Sequence, residues 1–124
     1  MKILSTIVAV VLAASLALAG VHNGDTANGA PHGTVTVNVS GDLHGDYHVT
    51  FTDDVGTSGS TDGTPTMGGD AGEVQDTDWK SVVKVDKEGK TTHGGTYRIK
   101  NGKIQKKTST GKIVTCGPAN TSSL

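Results

Sequence analysis

Internal disulfide bridging is excluded by this sequence, because Cys116 is the single cysteine in 124 residues. Small secreted domains are often held together by several bridges, and that class of scaffold is therefore ruled out. Two roles remain for Cys116: a buried thiol within the fold, or the link in a disulfide-bonded homodimer. We expect the buried thiol, because the dimer would depend on this one residue alone.

Large apolar side chains are also scarce, with an aromatic content of 3%. The four aromatic residues are Tyr47, Phe51, Trp79 and Tyr97. So few large side chains support only a modest core, and a chain of this length forms one small domain. No known family is recognised in the sequence, and no catalytic motif occurs in it. We therefore expect a protein that is not an enzyme.

Positive charge is missing from the middle of the chain. Ten of the twelve acidic residues lie between Asp25 and Asp78, where no Lys or Arg occurs. Every Lys and Arg after Lys2 lies between Lys80 and Lys112. Such segregation favours one surface that is strongly basic, although the net charge is only −1.

A long apolar run occurs only at the start, where Lys2 is followed by residues 3–18. One cation, an apolar stretch and small residues at Ala17 and Ala19 form the three-part layout of a signal peptide. We predict that residues 1–19 are removed and that the protein is secreted or periplasmic. The run is shorter than the ~20 residues that span a bilayer, so no membrane span is expected after cleavage.

The mature chain is predicted to be glycine-rich and all-β. Residues 20–33 carry Gly, Asn and Asp without periodicity and are predicted to be a flexible arm. A single β domain is expected over 34–118, with a long polar, acidic loop at 53–78 and a tail at 119–124. No helical apolar spacing follows the signal peptide. The overall prediction is a small antiparallel sandwich or barrel of about six short strands.

Three stretches carry the strand prediction. Residues 34–40 and 47–52 alternate apolar and polar side chains, and a turn at 40–42 would place Val39 opposite Leu43. Trp79 shares its parity with Val83 and Val85. Residues 97–106 carry Asn101-Gly102 between two strand-like runs, which predicts a type I′ hairpin with Ile99 opposite Ile104.

One face of this hairpin is basic, formed by Arg98, Lys100, Lys103 and Lys107. Such a face favours contact with an anionic polymer or cell-surface component, and the alternative is a solvated face that discourages aggregation. No aromatic side chain is interleaved among these cations to stack on bases, so nucleic acid is not expected as the partner. The acidic 53–78 segment could also fold back over the hairpin, which would give an internal contact that is sensitive to salt.

Metal binding is a second hypothesis. If the mature chain begins Gly20-Val21-His22, the amine, two amide nitrogens and the imidazole could surround copper or nickel in a plane. His44 and His48 could share a metal on one face of a strand, although two exposed histidines are the simpler interpretation. Copper is the cofactor that these residues favour.

Overall fold

The computed structural model describes residues 20–43, 45–63, 73–117 and 123–124. They form one antiparallel sheet of eight strands, which lie side by side in chain order. The sheet curls into a half-barrel around its own core. The strands are β1 Thr26–Ala30, β2 Gly33–Gly41, β3 Tyr47–Asp53, β4 Ser58–Asp62, β5 Lys80–Val85, β6 Thr91–Lys100, β7 Lys103–Lys107 and β8 Ile113–Thr115.

The all-β, antiparallel class is confirmed, and no helix occurs among the described residues. The architecture is a single curled sheet, which differs from a sandwich of two sheets. The physical reason is the connectivity, since each strand pairs with the next one along the chain. Right-handed twist then curls such a meander until its concave side can enclose a core.

The core lies on this concave side. Val37 is opposite Phe51 and Val39 is opposite Val49 in the β2–β3 pair. The ring centroids of Phe51 and Tyr97 lie 5.8 Å apart, in a stacked arrangement that joins the two halves of the sheet. The remaining buried apolar residues include Val21, Ala27, Val35, Leu43, Tyr47, Val74, Val82, Ile99, Ile104 and Cys116.

The first hairpin has a longer loop than predicted. Pairing continues to Gly41 opposite Tyr47, so the predicted contact between Val39 and Leu43 is wrong. The longer loop allows Leu43 to turn into the core, where it is buried. The apolar faces still coincide, because the register differs by an even number of residues and side chains alternate with a period of two.

The second hairpin is confirmed in register and turn type. Lys100 lies opposite Lys103, Ile99 opposite Ile104, and Arg98 opposite Gln105. Asn101 has φ 54° and Gly102 has φ 70°. Positive φ at both central positions is what a two-residue type I′ turn requires, and these residue types tolerate it best.

The predicted arm over 20–33 is corrected by the structure, because it contains β1. Ala27 and Ala30 face the core, and the strand pairs with β2. The chain end also contributes to this edge, since the Leu124 N–H donates to the Asn28 carbonyl at 2.8 Å. Composition failed here because main-chain pairing with a neighbouring strand needs no large side chain.

The predicted loop over 53–78 is corrected in the same way. It contains β4, whose residues are all polar or Gly and pair with β3 along its length. Farther on, the Val74 N–H donates to the Val21 carbonyl at 2.7 Å, and the Thr77 N–H donates to the Ile99 carbonyl at 2.9 Å. The described end of this segment therefore folds back on the basic hairpin, as one alternative anticipated. Among the described residues the contact is made by hydrogen bonds, and no carboxylate forms an ion pair with the hairpin cations.

Trp79 shares its parity with Val83 and Val85 as predicted, and the face that they share is the outer one. Val82 is fully buried, whereas Val83 and Val85 are exposed. Opposite them, Val82 pairs with Gly95 and Val83 with His93, so Gly94 is an extra residue in β6. This bulge shifts which residues of β6 point inward and leaves the alternation of β5 unchanged. Trp79 and Val82 are three positions apart, so they lie on opposite faces, and Trp79 lies on the outer one beside Arg98.

Candidate functional site

The outer face of the β6–β7 hairpin carries the predicted cations. Lys100, Lys103 and Lys107 are exposed, and Arg98 is half-buried. Their alternation with Tyr97, Ile99 and Ile104, which enter the core, places all four on the same side of the sheet. No carboxylate of the described residues lies within ion-pairing distance of these four side chains. We call them the basic face.

An aromatic side chain does lie among these cations, and the prediction that none would do so is wrong. The Arg98 guanidinium carbon lies 4.3 Å from the centroid of the Trp79 ring. The Lys107 Nζ lies 4.6 Å from the same ring. Sequence separation hid this contact, because Trp79 precedes β5 and comes alongside Arg98 only through β5–β6 pairing. Two cations are thereby held by one indole.

A chain of hydrogen bonds across three strands further orders Arg98. Its Nε donates to Gln105 Oε1 at 2.7 Å, and Gln105 Nε2 donates to Thr115 Oγ1 at 3.1 Å. Trp79 then lies against the guanidinium. These contacts engage Nε and the ring plane, while the two terminal amino groups have no hydrogen-bond partner among the described residues. An ordered guanidinium with two available amino groups suits bidentate recognition of an oxyanion.

Lys100 and Lys103 lie directly opposite each other in the hairpin. Like charges at such a position destabilise a strand pair. The pair therefore opposes the stability of the turn that it flanks. A residue choice that conflicts with local stability is typical of a functional surface.

A shallow pocket of about 450 Å³ adjoins the basic face. Thr96 and Lys107, which lie opposite each other on the outer side of the sheet, form part of its wall. Hydroxyl and imidazole groups complete a polar lining next to the cation. The other lining residues include Pro31, His93, Thr108 and Ser109.

The residues of the proposed amino-terminal metal site are already engaged in contacts within the fold. The His22 main-chain N–H donates to Asp25 Oδ2 at 2.6 Å. Val21 is fully buried and forms a bridge with Val74. Gly20 is buried as well. Planar coordination would need the nitrogens of all three residues, so it would have to displace the hydrogen bond from the His22 N–H to Asp25.

The other metal candidates are not brought into a larger cluster. His48 Nδ1 pairs with Asp62 Oδ1 at 2.6 Å on the outer side of β3 and β4, where both side chains are exposed. His44 lies outside the described residues. Within the part of the chain that is described, no group of three or more His, Cys, Asp or Glu is placed to hold a metal ion.

A buried polar group lies at the inner end of β3. Asp53 Oδ1 accepts hydrogen bonds from the N–H groups of Val55, at 3.1 Å, and Thr57, at 2.9 Å. Burial acts to raise the pKa of Asp53, but Thr57, the Val55 N–H and nearby His32 outweigh it and lower that pKa. Beside it, the Tyr97 hydroxyl donates to the Gly94 carbonyl at 2.6 Å, and burial raises the pKa of Tyr97 to about 12.

Cys116 is 1% exposed and follows β8, where its N–H donates to the Ile104 carbonyl at 2.8 Å. A disulfide between two copies would first require this end of β8 to open.

Comparison with protein-family models, curated proteins and solved structures found no match to the chain. Within the described ranges, no helical segment has the length and hydropathy needed to span a bilayer.

Proposed function

We propose that this protein is a secreted or periplasmic binding protein whose basic face contacts an anionic polysaccharide. The partner class follows from two features. The cations Arg98, Lys100, Lys103 and Lys107 form an extended row rather than a closed pocket, which suits a polymer with repeated charges. The predicted export places the protein where sulfated and uronic acid polymers are exposed. The activity is binding, and no catalytic step is assigned.

The observation that carries the proposal is the contact of Trp79 with both Arg98 and Lys107. Solvated lysines that only discourage aggregation need no fixed geometry. Here the cations are ordered before any ligand arrives, and this reduces the conformational entropy that binding must remove. The opposed pair of Lys100 and Lys103 points the same way, since it weakens the hairpin while concentrating positive charge.

The experiment is salt elution from immobilised heparin, which serves as the anionic polysaccharide probe. The unsubstituted protein should be retained at low salt despite its net negative charge, and the double variant Lys100→Glu/Lys103→Glu should flow through. The double variant still has like charges opposite each other, so its stability should stay close to that of the parent. Passage of the parent protein through the column at low salt would contradict the proposal.

A matched control uses Lys87→Glu/Lys90→Glu at the turn between β5 and β6, where both lysines are exposed. This control has the same net charge as the test variant but is altered about 30 Å away along β6. It should elute close to the parent. Equal loss of retention in both variants would indicate attraction by net charge alone and would overturn the assignment of this face.

The single variant Lys103→Glu separates binding from folding. It places opposite charges across the turn, so the hairpin should become more stable by a few tenths of a kcal/mol. Heparin retention should nevertheless weaken.

Single-stranded DNA is the competitor that tests the partner class, because the Trp79 ring could stack on a base. The protein can be displaced from the column with soluble DNA or with soluble heparin. If DNA displaces it at a lower concentration of phosphate groups than the concentration of sulfate groups that soluble heparin requires, the face would be assigned to nucleic acid instead.

A further inference from the structure

Glu73 is a buried carboxylate for which the described residues provide no cation. It is 7% exposed, and its Oε1 accepts a hydrogen bond from the Gln75 side-chain amide. No Lys, Arg or His of the described residues forms an ion pair with it. Burying a carboxylate is costly unless an opposite charge and hydrogen bonds accompany it. The site around Glu73 therefore calls for a positive charge.

Gly20 lies against this carboxylate. A side-chain carbon at position 20 would overlap the Glu73 side chain, including Oε1. The turn glycine Gly102 closes the other side, at 3.5 Å between the Gly20 Cα and the place where a Cβ of residue 102 would lie. The main-chain nitrogen of Gly20 is one bond from that Cα. The amino group of a chain that begins at Gly20 thus lies in the immediate neighbourhood of Glu73.

We propose that export processing creates a buried ion pair between the new α-ammonium group of Gly20 and the carboxylate of Glu73. A signal peptidase adds water across the amide bond between Ala19 and Gly20. Ala19 leaves with the carboxylate, and the released Gly20 amine takes up a proton at neutral pH. The uncleaved precursor has a neutral amide at this position. Processing therefore releases the mature chain and also stabilises its fold.

Neighbouring contacts hold both partners in place. Val74 follows Glu73 in the sequence and Val21 follows Gly20, and the Val74 N–H donates to the Val21 carbonyl at 2.7 Å. The Gly102 N–H donates to the Gln75 carbonyl at 3.1 Å. Both sides of the proposed pair are thus fixed by main-chain bonds one or two residues away. The pair connects the amino terminus, the 73–77 segment and the basic hairpin.

The test compares two mature chains, one beginning at Gly20 and one that keeps Ala19, each with and without Glu73→Gln. We expect the chain that begins at Gly20 to melt about 5 °C higher than the one that keeps Ala19, and Glu73→Gln to abolish that difference. Equal Tm values for the two starts would overturn the proposal. A difference that persists with Glu73→Gln would also overturn it, because a steric effect of Ala19 would then be the cause.

A second measurement does not depend on whether Glu73→Gln folds. An aldehyde reagent selective for the α-amine should label the folded chain that begins at Gly20 several-fold more slowly than the same chain in denaturant. Lysine acylation at exposed Lys87 is the internal control and should be equally fast in both states. Labelling of the folded terminus at the denatured rate would overturn the proposal. Heparin binding plays no part in either measurement, so the two proposals fail independently.

Discussion

The guanidinium of Arg98 in β6 lies 4.3 Å from the ring centroid of Trp79, which directly precedes β5. The turn that joins β5 to β6 lies at the other end of this strand pair. Lys107, from the next strand, reaches the same ring. The indole thereby converts three separate side chains into one ordered cationic surface. Because Trp79 is the sole tryptophan, its fluorescence reports directly on that surface.

Substitution of Trp79 tests whether the ring positions the cations. Trp79→Ala should weaken heparin affinity about fivefold to thirtyfold, since two exposed cation–π contacts of about 0.5–1 kcal/mol each no longer position the cations. Trp79→Phe keeps a ring and should give an intermediate value. In the unsubstituted protein, heparin should change the Trp79 emission, and high salt should reverse the change. Unchanged affinity of Trp79→Ala, measured by calorimetry, would show that the ring has no positioning role.

Asp53 should make stability dependent on acid pH. Its folded pKa is lowered from the ordinary value of 3.8, so its contribution is fully present above that value and is lost as the pH falls below it. Asp53→Asn should reduce the unfolding free energy at pH 7 by about 1–2 kcal/mol, and this effect should decline as the pH falls below 3.8. Urea unfolding between pH 3 and 7 measures both. Asp78→Asn, at an exposed aspartate whose carboxylate has no hydrogen-bond partner among the described residues, is the control for general charge effects.

Copper binding should be weakened by the fold. In a chain that begins at Gly20, coordination would require the His22 amide nitrogen to leave Asp25, a charge-assisted hydrogen bond worth about 1.5–3 kcal/mol. We expect Cu(II) affinity at least about tenfold below that of a free peptide with the sequence of residues 20–26. Competitive titration against a chelator measures the ratio. Equal affinities would show that the terminus opens freely, and would favour the metal-binding hypothesis.

Local sequence pattern was sufficient where one turn brings two strands together. The hairpin around Asn101 and Gly102 depends on positive φ at adjacent positions, and its register follows from the turn length. Alternation in β2 and β3 likewise predicted which side chains point inward. The loop between them was not predicted correctly, because the burial of Leu43 depends on the core that the rest of the sheet provides.

Weakly patterned segments needed the tertiary structure. β1 and β4 are built from small or polar residues, so only the neighbouring strands provide the hydrogen bonds that make them strands. Which face of β5 enters the core was decided by its pairing with β6, where Lys80 lies opposite the buried Tyr97. The alternation of β5 alone does not contain that information, because Trp79 and Val83 are apolar on one side and Val82 is apolar on the other.

The sequence by itself determined the all-β class, the basic hairpin and the line of cations along it, because alternation and turn chemistry act between near neighbours. Only the tertiary structure decided that Trp79 lies against Arg98 and Lys107, and that Gly20 lies against Glu73. Both contacts join residues that are far apart in the chain. Sheet curvature and strand register position them, and these properties arise from the packing of the whole domain.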